Sequence, residues 1–346
     1  MRKKTKEIRV GNIKIGGDNP IAVQSMVKVH PANIKEAINQ IERLSDAGCD
    51  IVRIAVPDME GAEALSEIKK EIKIPLVADI HFDYRLALEA IERGVDKIRL
   101  NPSNIKSNEN IKKIVFKAKE RGIPIRVGAN IGSLKGKFSF EEQQVDELFK
   151  AVEKEVSILE SIGFFNIVLS AKCSDVSLNY NINKRLSNAY DYPIHIGITE
   201  AGTLVSGIVK SSVGTYNLLS EGIGDTIRIS LTGELENEVI SGISLLKVLN
   251  LREGIDIVSC PTCGRAKIDV KKLSSLVENK TAKVRKNIKV AIMGCEVNGP
   301  GEARDADIGI AGSGNTAVLF EKGKIVAKGS PSQMLKLLLK KLELDN

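Results

Sequence analysis

A short apolar run that ends in polar residues and is followed by a helical stretch occurs eight times between residues 20 and 250. The runs are Ile21–Gln24, Ile51–Ile54, Leu76–Ile80, Lys97–Leu100, Ile125–Val127, Asn166–Leu169, Ile194–Ile198 and Thr226–Ile229. The segments between them carry apolar residues at helical spacing, such as Ile34, Ile38, Ile41 and Leu44. Eight strand–helix units in about 230 residues predict an α/β fold, a (β/α)8 TIM barrel. An open doubly wound sheet usually has fewer units and a glycine-rich loop after its first strand, and neither is seen.

The segments on either side of this repeat predict further structure. Ile8–Val10 and Ile13–Ile15 flank Gly11-Asn12, which predicts a hairpin that plugs the bottom of the barrel. After residue 253 the regular alternation of predicted strands and helices ends. Strands are predicted at Ile255–Val258, Lys289–Met293, Asp307–Ala311, Ala317–Phe320 and Ile325–Ala327, and helices near 266–279 and 331–343. We therefore predict two domains, a substrate-binding barrel over residues 1–253 and a small α+β domain over residues 254–346.

Composition narrows the classes of function. The chain is 42% apolar and 27% charged, which is typical of a globular protein. A net charge of +7 is mild; it favours an anionic ligand but does not by itself indicate nucleic acid. Aromatic residues make up only 4% of the chain, so few side chains could stack on the bases of a single-stranded nucleic acid. No apolar run approaches the ~18 residues of a membrane span, and no apolar segment follows the basic N-terminus, so we expect a cytoplasmic protein without membrane or nucleic-acid partners.

The predicted strand ends carry an unusual number of cations. Four strands place an arginine between apolar neighbours, at Arg53, Arg99, Arg126 and Arg228, and a fifth ends in Lys172. Barrel enzymes place their active site at these carboxyl ends. A buried cation is costly unless it is paired, so one such arginine would indicate a structural ion pair. Four at matching positions predict a phosphorylated ligand, because the guanidinium fork suits phosphate oxygens; the alternative is an ion-pair layer that closes the barrel.

Polar residues at the other strand ends complete the candidate site. Asp79 and His81 end the third strand and face the same way, because side chains alternate along a strand. Thr199 and Glu200 end the seventh. Amides and hydroxyls fill the remaining positions: Gln24, Ser25, Asn101, Asn130 and Ser230. The expected inward charge is +5 from the five cations against −2 from Asp79 and Glu200, and the excess of +3 favours an anion.

Several of these residues admit a second interpretation. His81 could be a hydrogen-bonded structural histidine, although its place beside Asp79 favours ligand contact. Lys172 could form a Schiff base, as in barrel aldolases, but the surrounding arginines favour a charge contact to phosphate. Glu200 is a candidate general acid, with an arginine partner as the alternative. His195 lies early in its strand and is predicted to be a core residue.

Three of the five cysteines, Cys260, Cys263 and Cys295, are grouped in the last quarter of the chain. The odd total and the C-x2-C motif indicate metal or redox chemistry rather than disulfides. Structural zinc prefers four cysteine or histidine ligands, and no histidine follows His195. An iron–sulfur cluster tolerates a non-cysteine ligand, and Glu302 lies in a nearby loop rich in glycine and proline. An iron–sulfur cluster is favoured, with zinc and a redox dithiol as alternatives.

Longer segments match a known family. They are Val23–Met26, Val52–Pro57, Ala78–Asp83, Ile98–Pro102, Arg126–Asn130, Ile198–Gly202, Cys260–Arg265 and Asn298–Ala303. In these segments, and from about Ile8 to its C-terminus, the chain resembles the 4-hydroxy-3-methylbut-2-enyl diphosphate synthases of the methylerythritol phosphate route to isoprenoids. The length matches the short bacterial form, without the insert of plant homologues.

The resemblance implies a cofactor and a substrate site. It implies a [4Fe-4S] cluster held by Cys260, Cys263, Cys295 and Glu302, and a barrel that binds 2-C-methyl-D-erythritol 2,4-cyclodiphosphate. Together with Asp79 from the strand ends, the predicted substrate-binding set is Arg53, Asp79, His81, Arg99, Asn101, Arg126, Asn130, Lys172, Thr199, Arg228 and Ser230.

The implied reaction is a two-electron reductive ring opening with loss of a hydroxyl as water, with electrons from a ferredoxin or flavodoxin. Substrate oxygen would displace Glu302 from the unique iron and Glu200 would assist C–O cleavage, so these two are the predicted catalytic residues. The resemblance also implies a head-to-tail homodimer, in which one chain's cluster domain closes over its partner's barrel. Cys173 departs from the family pattern, in which alanine or serine is commoner after the lysine. An extra thiol beside the substrate site could add oxygen sensitivity, but we interpret Cys173 as only a small side chain.

Two other classes compete with this hypothesis. One is a barrel aldolase or pterin-type transferase for a phosphorylated substrate, with a zinc-bearing C-terminal domain and Lys172 as its Schiff-base residue. The other is a nucleic-acid-binding protein without enzymatic activity. The low aromatic content and the position of the arginines inside strands argue against the second class.

Overall fold

The computed structural model describes residues 2–105, 107–131, 140–282, 284–295 and 305–342. The contacts of the chain divide it into two compact units, residues 1–245 and 246–346. The sequence places this limit at 253/254, and those domain bounds stay a prediction.

A short hairpin precedes the barrel. Its strands β1 (Ile8–Val10) and β2 (Ile13–Ile15) pair antiparallel, with Val10 opposite Ile13. Gly11 in the turn has a φ of +59°, a conformation that glycine adopts without strain. Ile8, Val10 and Ile15 are buried in a cluster that also contains Ala22, Ile51, Val77 and Val168 from the barrel strands. The predicted plug at the bottom of the barrel is therefore confirmed.

Eight parallel strands form the barrel, as the repeat predicts. They are β3 (Ala22–Met26), β4 (Ile51–Ala55), β5 (Leu76–Asp79), β6 (Lys97–Arg99), β7 (Ile125–Asn130), β8 (Ile167–Lys172), β9 (His195–Ile196) and β10 (Thr226–Ile227). Their order in the sheet is β8-β7-β6-β5-β4-β3-β10-β9. The sheet closes between β8 and β9, where Leu169 bridges Ile194 in parallel and the Leu169 amide donates to the Pro193 carbonyl at 2.8 Å.

In the described part of the barrel unit, eight helices follow the strands. They are α1 (Ile34–Asp46), α2 (Met59–Glu71), α3 (Tyr84–Glu92), α4 (Asn108–Arg121), α5 (Glu141–Ser161), α6 (Val176–Ala189), α7 (Leu204–Ser220) and α8 (Leu235–Val248), with a 3-10 turn at Pro102–Asn104. Side-chain caps fix several starts: Asp58 accepts from the Gly61 amide at α2, and Asp175 from the Leu178 amide at α6. Their apolar stripes face the sheet, and the barrel core lies on both faces of the strands.

In its described residues, the second unit is a five-stranded sheet with two helices. Its strands are β11 (Ile255–Ser259), β12 (Ile288–Met293), β13 (Ile308–Ser313), β14 (Thr316–Glu321) and β15 (Lys324–Gly329), in chain order across the sheet. The first three run parallel and the last two complete antiparallel hairpins. Helices α9 (Val270–Thr281) and α10 (Pro331–Lys341) share one buried cluster with the sheet. This arrangement confirms the predicted α+β architecture.

Across the described ranges, no helix is long and apolar enough to cross a membrane.

Candidate active site

The interior of the barrel changes from apolar to cationic toward the carboxyl ends of its strands. At the bottom, Ala22, Ile51, Val77 and Val168 contact the hairpin plug. Since side chains alternate along a strand, the residues two positions further on lie on the same inner face. This places Arg53 above Ile51 and Asp79 above Val77.

A cavity of about 130 Å³ opens at these carboxyl ends. It is lined by Arg53, His81, Arg99, Arg126, Gly128, Asn130, Ser170, Lys172, Thr199, Arg228 and Ser230. Nine of the eleven residues of the predicted substrate-binding set therefore meet at one place. The structure brings all five predicted cations to this cavity.

Asp79 is the buried countercharge for two of the arginines. Arg53 Nη2 donates to Asp79 Oδ2 at 2.8 Å, and Arg99 Nη1 donates to Asp79 Oδ1 at 3.3 Å. His81 Nε2 lies 3.5 Å from Asp79 Oδ2, while the half-exposed His81 ring contacts the Arg99 guanidinium. Burial raises the pKa of Asp79, but the hydrogen bond from His81 and the charges of the arginines outweigh it and hold the pKa well below its ordinary value. Asp79 therefore stays ionised and fixes the two guanidinium groups.

A second buried carboxylate, Glu238 on α8, holds Arg228. Its oxygens accept from Arg228 Nε at 3.3 Å and Nη2 at 3.4 Å, from Ser25 Oγ at 2.8 Å and from the Leu231 amide at 3.1 Å. The expected charge count needs correction here, because Glu200 is exposed and Glu238 takes its place as the second carboxylate beside the cations. The strand ends alone could not predict Glu238, since it lies on a helix.

Burial makes these cations costly in the absence of an anion. Burial and the neighbouring cations Arg228 and Arg99 outweigh the charge of Asp79 and lower the pKa of Arg53 to about 10. The pKa of Arg126 is lowered well below its ordinary value, first by burial and then by the charges of Arg53 and Arg99. Arg126 Nη1 is buried and has no hydrogen-bond partner among the described residues. A bound anion would supply the missing acceptor.

Lys172 ends β8 in direct contact with a residue predicted to be core. Its Nζ lies 3.0 Å from Nε2 of His195, which is fully buried at the start of β9. The core prediction for His195 is confirmed, but the residue also touches the site. Burial, followed by the charges of Arg126 and Arg228, lowers the pKa of Lys172 well below its ordinary value.

Asn101 and Glu200 are not among the residues that line the cavity. Asn101 precedes the 3-10 turn and is partly buried, and its Oδ1 has no hydrogen-bond partner in the described part of the chain. Glu200 follows Thr199, which lines the cavity. Glu200 has a φ of +52°, in a region that non-glycine residues rarely adopt and that recurs at functional sites.

Two lining residues, Gly128 and Ser170, were missed from the sequence. Each lies two positions from a predicted residue, Arg126 or Lys172, so strand alternation could have found both. A Cβ at Gly128 would lie 1.7 Å from the Ser170 carbonyl oxygen, so only glycine fits the approach of β7 to β8. The adjacent Cys173 is fully buried, and burial raises its thiol pKa to about 12, as expected for an unreactive small side chain.

The second unit brings two of its cysteines to one edge of the sheet. Cys260 follows β11 and Cys295 follows β12, and these strands are parallel neighbours in which Ser259 pairs with Ile292. The Gly294 amide donates to Cys260 Sγ at 3.1 Å. All three thiols are free. A backbone hydrogen bond from Arg265 is the first of the causes that lower the pKa of exposed Cys263.

The predicted fourth ligand, Glu302, lies outside the described residues. Within the described ranges, no three histidine, cysteine, aspartate or glutamate residues are grouped closely enough to hold a metal ion. The donor chemistry nonetheless fits an iron–sulfur cluster, because thiolates are its usual ligands and amide hydrogen bonds to sulfur tune it.

A closed (β/α)8 barrel whose carboxyl ends surround a cationic cavity defines a barrel enzyme acting on an anionic substrate. Comparison with known proteins identifies the family. Residues 5–243 match the GcpE TIM-barrel domain and residues 256–344 match the GcpE protein C-terminal domain. The chain belongs to the GcpE family.

Relatives match over the full length. A protein of Caldanaerobacter subterraneus subsp. tengcongensis is 53% identical, covering 99% of this chain and 98% of the relative. A protein of Clostridium acetobutylicum is 48% identical, covering 100% and 99%. Both are named 4-hydroxy-3-methylbut-2-en-1-yl diphosphate synthase (flavodoxin).

A solved structure of low sequence identity shares the fold. Dihydropteroate synthase of Xanthomonas albilineans, solved with 4-aminobenzoic acid, superposes with a TM-score of 0.52 at 13% identity. The match covers 71% of this chain and 98% of that one. At this identity the likeness shows a shared fold and carries no argument about substrate.

Proposed function

We propose that this chain catalyses the reductive ring opening of 2-C-methyl-D-erythritol 2,4-cyclodiphosphate to 4-hydroxy-3-methylbut-2-en-1-yl diphosphate in isoprenoid biosynthesis. The reaction takes up two electrons, breaks the ring bond between carbon and a phosphate oxygen, expels the hydroxyl of the adjacent carbon together with a proton as water, and forms a double bond between these two carbons. The names of the full-length relatives support this assignment. The observation in this chain that carries it is the cavity, in which five cations surround a space suited to a diphosphate.

The substrate contacts follow from the donors around the cavity. Arg53 and Arg99 each use one nitrogen on Asp79, and Arg228 uses two on Glu238, so their orientation is set before substrate arrives. Their other donors, with Arg126 and Lys172, bind the phosphate oxygens. Smaller groups contact the rest of the substrate: His81, Asn101, Asn130, Thr199 and Ser230. Asp79 acts in this scheme by positioning two arginines.

Glu200 is proposed as the general acid. It lies on the loop that follows β9, directly after a residue that lines the cavity. From this loop its carboxyl group can deliver a proton to the departing hydroxyl. A Glu200→Gln variant should keep substrate affinity and lose turnover. Unchanged turnover would remove Glu200 from the mechanism.

Cys260, Cys263 and Cys295 are proposed to hold a [4Fe-4S] cluster, with Glu302 as its fourth ligand. When bound, the cluster supplies the two electrons of the reaction in single-electron steps. Anaerobically purified protein should contain about four irons and four sulfides per chain. The Cys260→Ala variant should lose most of both, while Cys173→Ala should keep them. One zinc per chain and no iron after anaerobic reconstitution would overturn the proposal and favour the aldolase or transferase alternative.

A flavodoxin is the proposed electron donor, with ferredoxin as the alternative, and the relatives' names support the flavodoxin. We propose a cytoplasmic protein, as the free thiols support.

We also propose that the chain forms a head-to-tail homodimer. Mixing Arg126→Met with Cys263→Ala chains tests this, because one of the two sites in a mixed dimer would be intact. About a quarter of wild-type activity should return after random exchange. No recovery, although exchange is shown by mass spectrometry, would contradict this arrangement.

The reaction itself is tested by incubating the reconstituted protein anaerobically with the cyclodiphosphate, reduced flavodoxin and a low-potential reductant. Product should form in wild-type protein and fall by at least about 100-fold in Arg126→Met, since a desolvated contact to phosphate is lost. The matched control is Arg185→Met, which removes an arginine on the outside of the barrel that pairs with Asp146. Absence of product with a full complement of cluster would refute the proposed function.

A further inference from the structure

Three polar side chains on neighbouring strands form a buried chain below the cavity. Lys172 Nζ at the end of β8 lies 3.0 Å from His195 Nε2 at the start of β9. His195 Nδ1 lies 2.7 Å from Thr226 Oγ1 at the start of β10. His195 and Thr226 are fully buried, and only Lys172 lines the cavity. This row of three side chains therefore links the barrel interior to one cation of the site.

When Lys172 is charged, the chemistry of the three groups fixes the direction of these hydrogen bonds. An ammonium group only donates, so a charged Lys172 requires Nε2 of His195 to accept. A neutral imidazole has one donor and one acceptor, so its proton must then lie on Nδ1 and be donated to Thr226 Oγ1. His195 uses one of the three ammonium hydrogens of Lys172. The other two remain for an anion in the cavity.

The backbone leaves room for this arrangement. Gly197 follows β9 with a φ of +154°. A Cβ at this position would lie 2.3 Å from the Arg228 carbonyl oxygen and 3.1 Å from Lys172 Nζ. Any side chain here would therefore press on the ammonium group that His195 holds.

The surroundings of Lys172 are strongly positive. The charged or titratable groups facing it are Arg53 on β4, Arg126 on β7, His195 on β9, Arg228 after β10 and Glu238 on α8. With one carboxylate against three guanidinium groups, the empty site disfavours a further positive charge. A diphosphate in the cavity reverses the sign of the local potential and favours the ammonium form.

His195 cannot share this positive charge. Burial lowers the pKa of His195 well below its ordinary value, and the charges of Lys172 and Arg126 act in the same direction. Lys97 on β6 and Arg53 also face the ring and lower the pKa further. The imidazole is therefore neutral and acts as the acceptor that the ammonium needs.

We propose that His195 and Thr226 are positioning residues that hold the Lys172 amino group at the cavity. Anion binding in the cavity is then coupled to uptake of a proton by this amino group. The inference rests on the proposed function for the natural anion, but it is tested with inorganic pyrophosphate on the full chain. A binding step that charges Lys172 only when the anion is present would lower the cost of keeping five cations in the empty barrel.

The experiment is calorimetric titration with pyrophosphate between pH 7 and 9 in buffers of different ionisation enthalpy, which counts the protons taken up. Wild-type protein should take up a fraction of a proton that approaches one at the pH where the empty Lys172 is neutral. Lys172→Met should bind at least about tenfold more weakly and abolish the uptake. The control is Arg185→Met, which removes the exposed arginine that pairs with Asp146 outside the barrel, and it should keep both the affinity and the proton uptake.

The second set of variants separates positioning from mere packing. His195→Gln retains an acceptor near the Nε2 position and should stay within about threefold of wild-type affinity. His195→Leu removes it and should lose about tenfold or more. Thr226→Val changes nothing but the hydroxyl and should weaken binding by about 3–10-fold, which keeps the test open if His195→Leu does not fold. Cys173→Ala, a buried neighbour outside this chain of residues, should bind like wild type.

Proton uptake that persists in Lys172→Met, or wild-type affinity and uptake in both His195→Leu and Thr226→Val, would overturn the inference. The two proposals fail separately. If wild-type protein binds pyrophosphate with proton uptake but does not convert the cyclodiphosphate, the proposed function is wrong and the inference stands. If it converts the cyclodiphosphate while His195→Leu and Thr226→Val both behave like wild type, only the inference is wrong.

Discussion

Replacing Asp79 with asparagine should destabilise the barrel more than replacing an exposed aspartate with asparagine. Asp79 is 2% exposed and accepts hydrogen bonds from Arg53 and Arg99. A charge pair at about 4 Å contributes about 4 kcal/mol at an effective dielectric constant of 20, and the cost of burial offsets part of it. Removing one partner of a buried pair typically costs about 3–5 kcal/mol, because the other charge stays buried. For a unit of this size that corresponds to a fall in Tm of roughly 10 °C.

The pH dependence of this loss has a definite sign. The pKa of Asp79 is held below its ordinary value in the folded state, so the folded protein binds fewer protons than the unfolded chain near pH 4. The stabilisation by Asp79 is therefore complete above the unfolded pKa of about 4 and is lost as pH falls through the folded pKa. The gap between wild type and Asp79→Asn should be constant from about pH 5 to 8 and should narrow below pH 4.

Tyrosine fluorescence is suited to this measurement. The chain has no tryptophan, and its five tyrosines all precede residue 246, so the signal reports on the barrel unit. The matched control is Asp146→Asn, which removes the exposed partner of Arg185 and should cost less than about 1 kcal/mol. Equal unfolding midpoints for Asp79→Asn and wild type between pH 5 and 8 would refute the reasoning that Asp79 compensates the arginine charges.

Three further predictions concern single residues. Lys97 is fully buried, and its Nζ has no hydrogen-bond partner among the described residues. Burial, followed by the charges of Arg126 and Arg53, lowers the pKa of Lys97 to about 7. Lys97→Met should therefore stabilise the barrel by about 1–4 kcal/mol below pH 7, with a gain that fades as pH approaches 10; a loss of stability in urea unfolding would count against this. Gly128→Ala should lower Tm and abolish pyrophosphate binding, because its Cβ would overlap the neighbouring strand; a normal Tm would show that β7 can shift. In cluster-free protein Cys173 should resist iodoacetamide at pH 8 while exposed Cys263 reacts, and mass spectrometry showing equal rates would disprove the unreactive assignment.

The barrel and most of its cavity could be predicted because the relevant patterns are local. Strand alternation and the position of a strand end are both readable within a few residues, and together they place Arg53, Arg126 and Lys172 on the inner face. Parallel strands bring their carboxyl ends to one rim, so residues far apart in sequence could be assigned to one site without knowing any contact. The same reasoning could place Cys260 and Cys295 at one edge of the second sheet.

The residues that were missed depend on contacts between distant elements. Glu238 is one acidic residue among several at the start of α8, and nothing in its helix indicates that it reaches Arg228 and Ser25. Lys97 resembles an ordinary charged residue at the start of a strand, and only closure of the barrel removes it from water. His195 could be assigned to the core, but its contact with Lys172 requires the register between β8 and β9. Such residues are identified by tertiary structure, because no periodicity marks them.

The balance of charge connects these missed residues to function. Among the described residues, the carboxylates bonded to the cavity cations are Asp79 and Glu238. The cations at the cavity are Arg53, Arg99, Arg126, Arg228 and Lys172. Full compensation would stabilise the empty barrel but would also leave an anion with nothing to gain on binding. A site with fewer carboxylates than cations has unfavourable electrostatic repulsion until an anion binds. The relief of this repulsion contributes to the free energy of binding. The barrel should therefore gain about 2.7 kcal/mol of stability at a pyrophosphate concentration 100 times Kd, and added carboxylates near the cavity should reduce this gain while stabilising the empty protein.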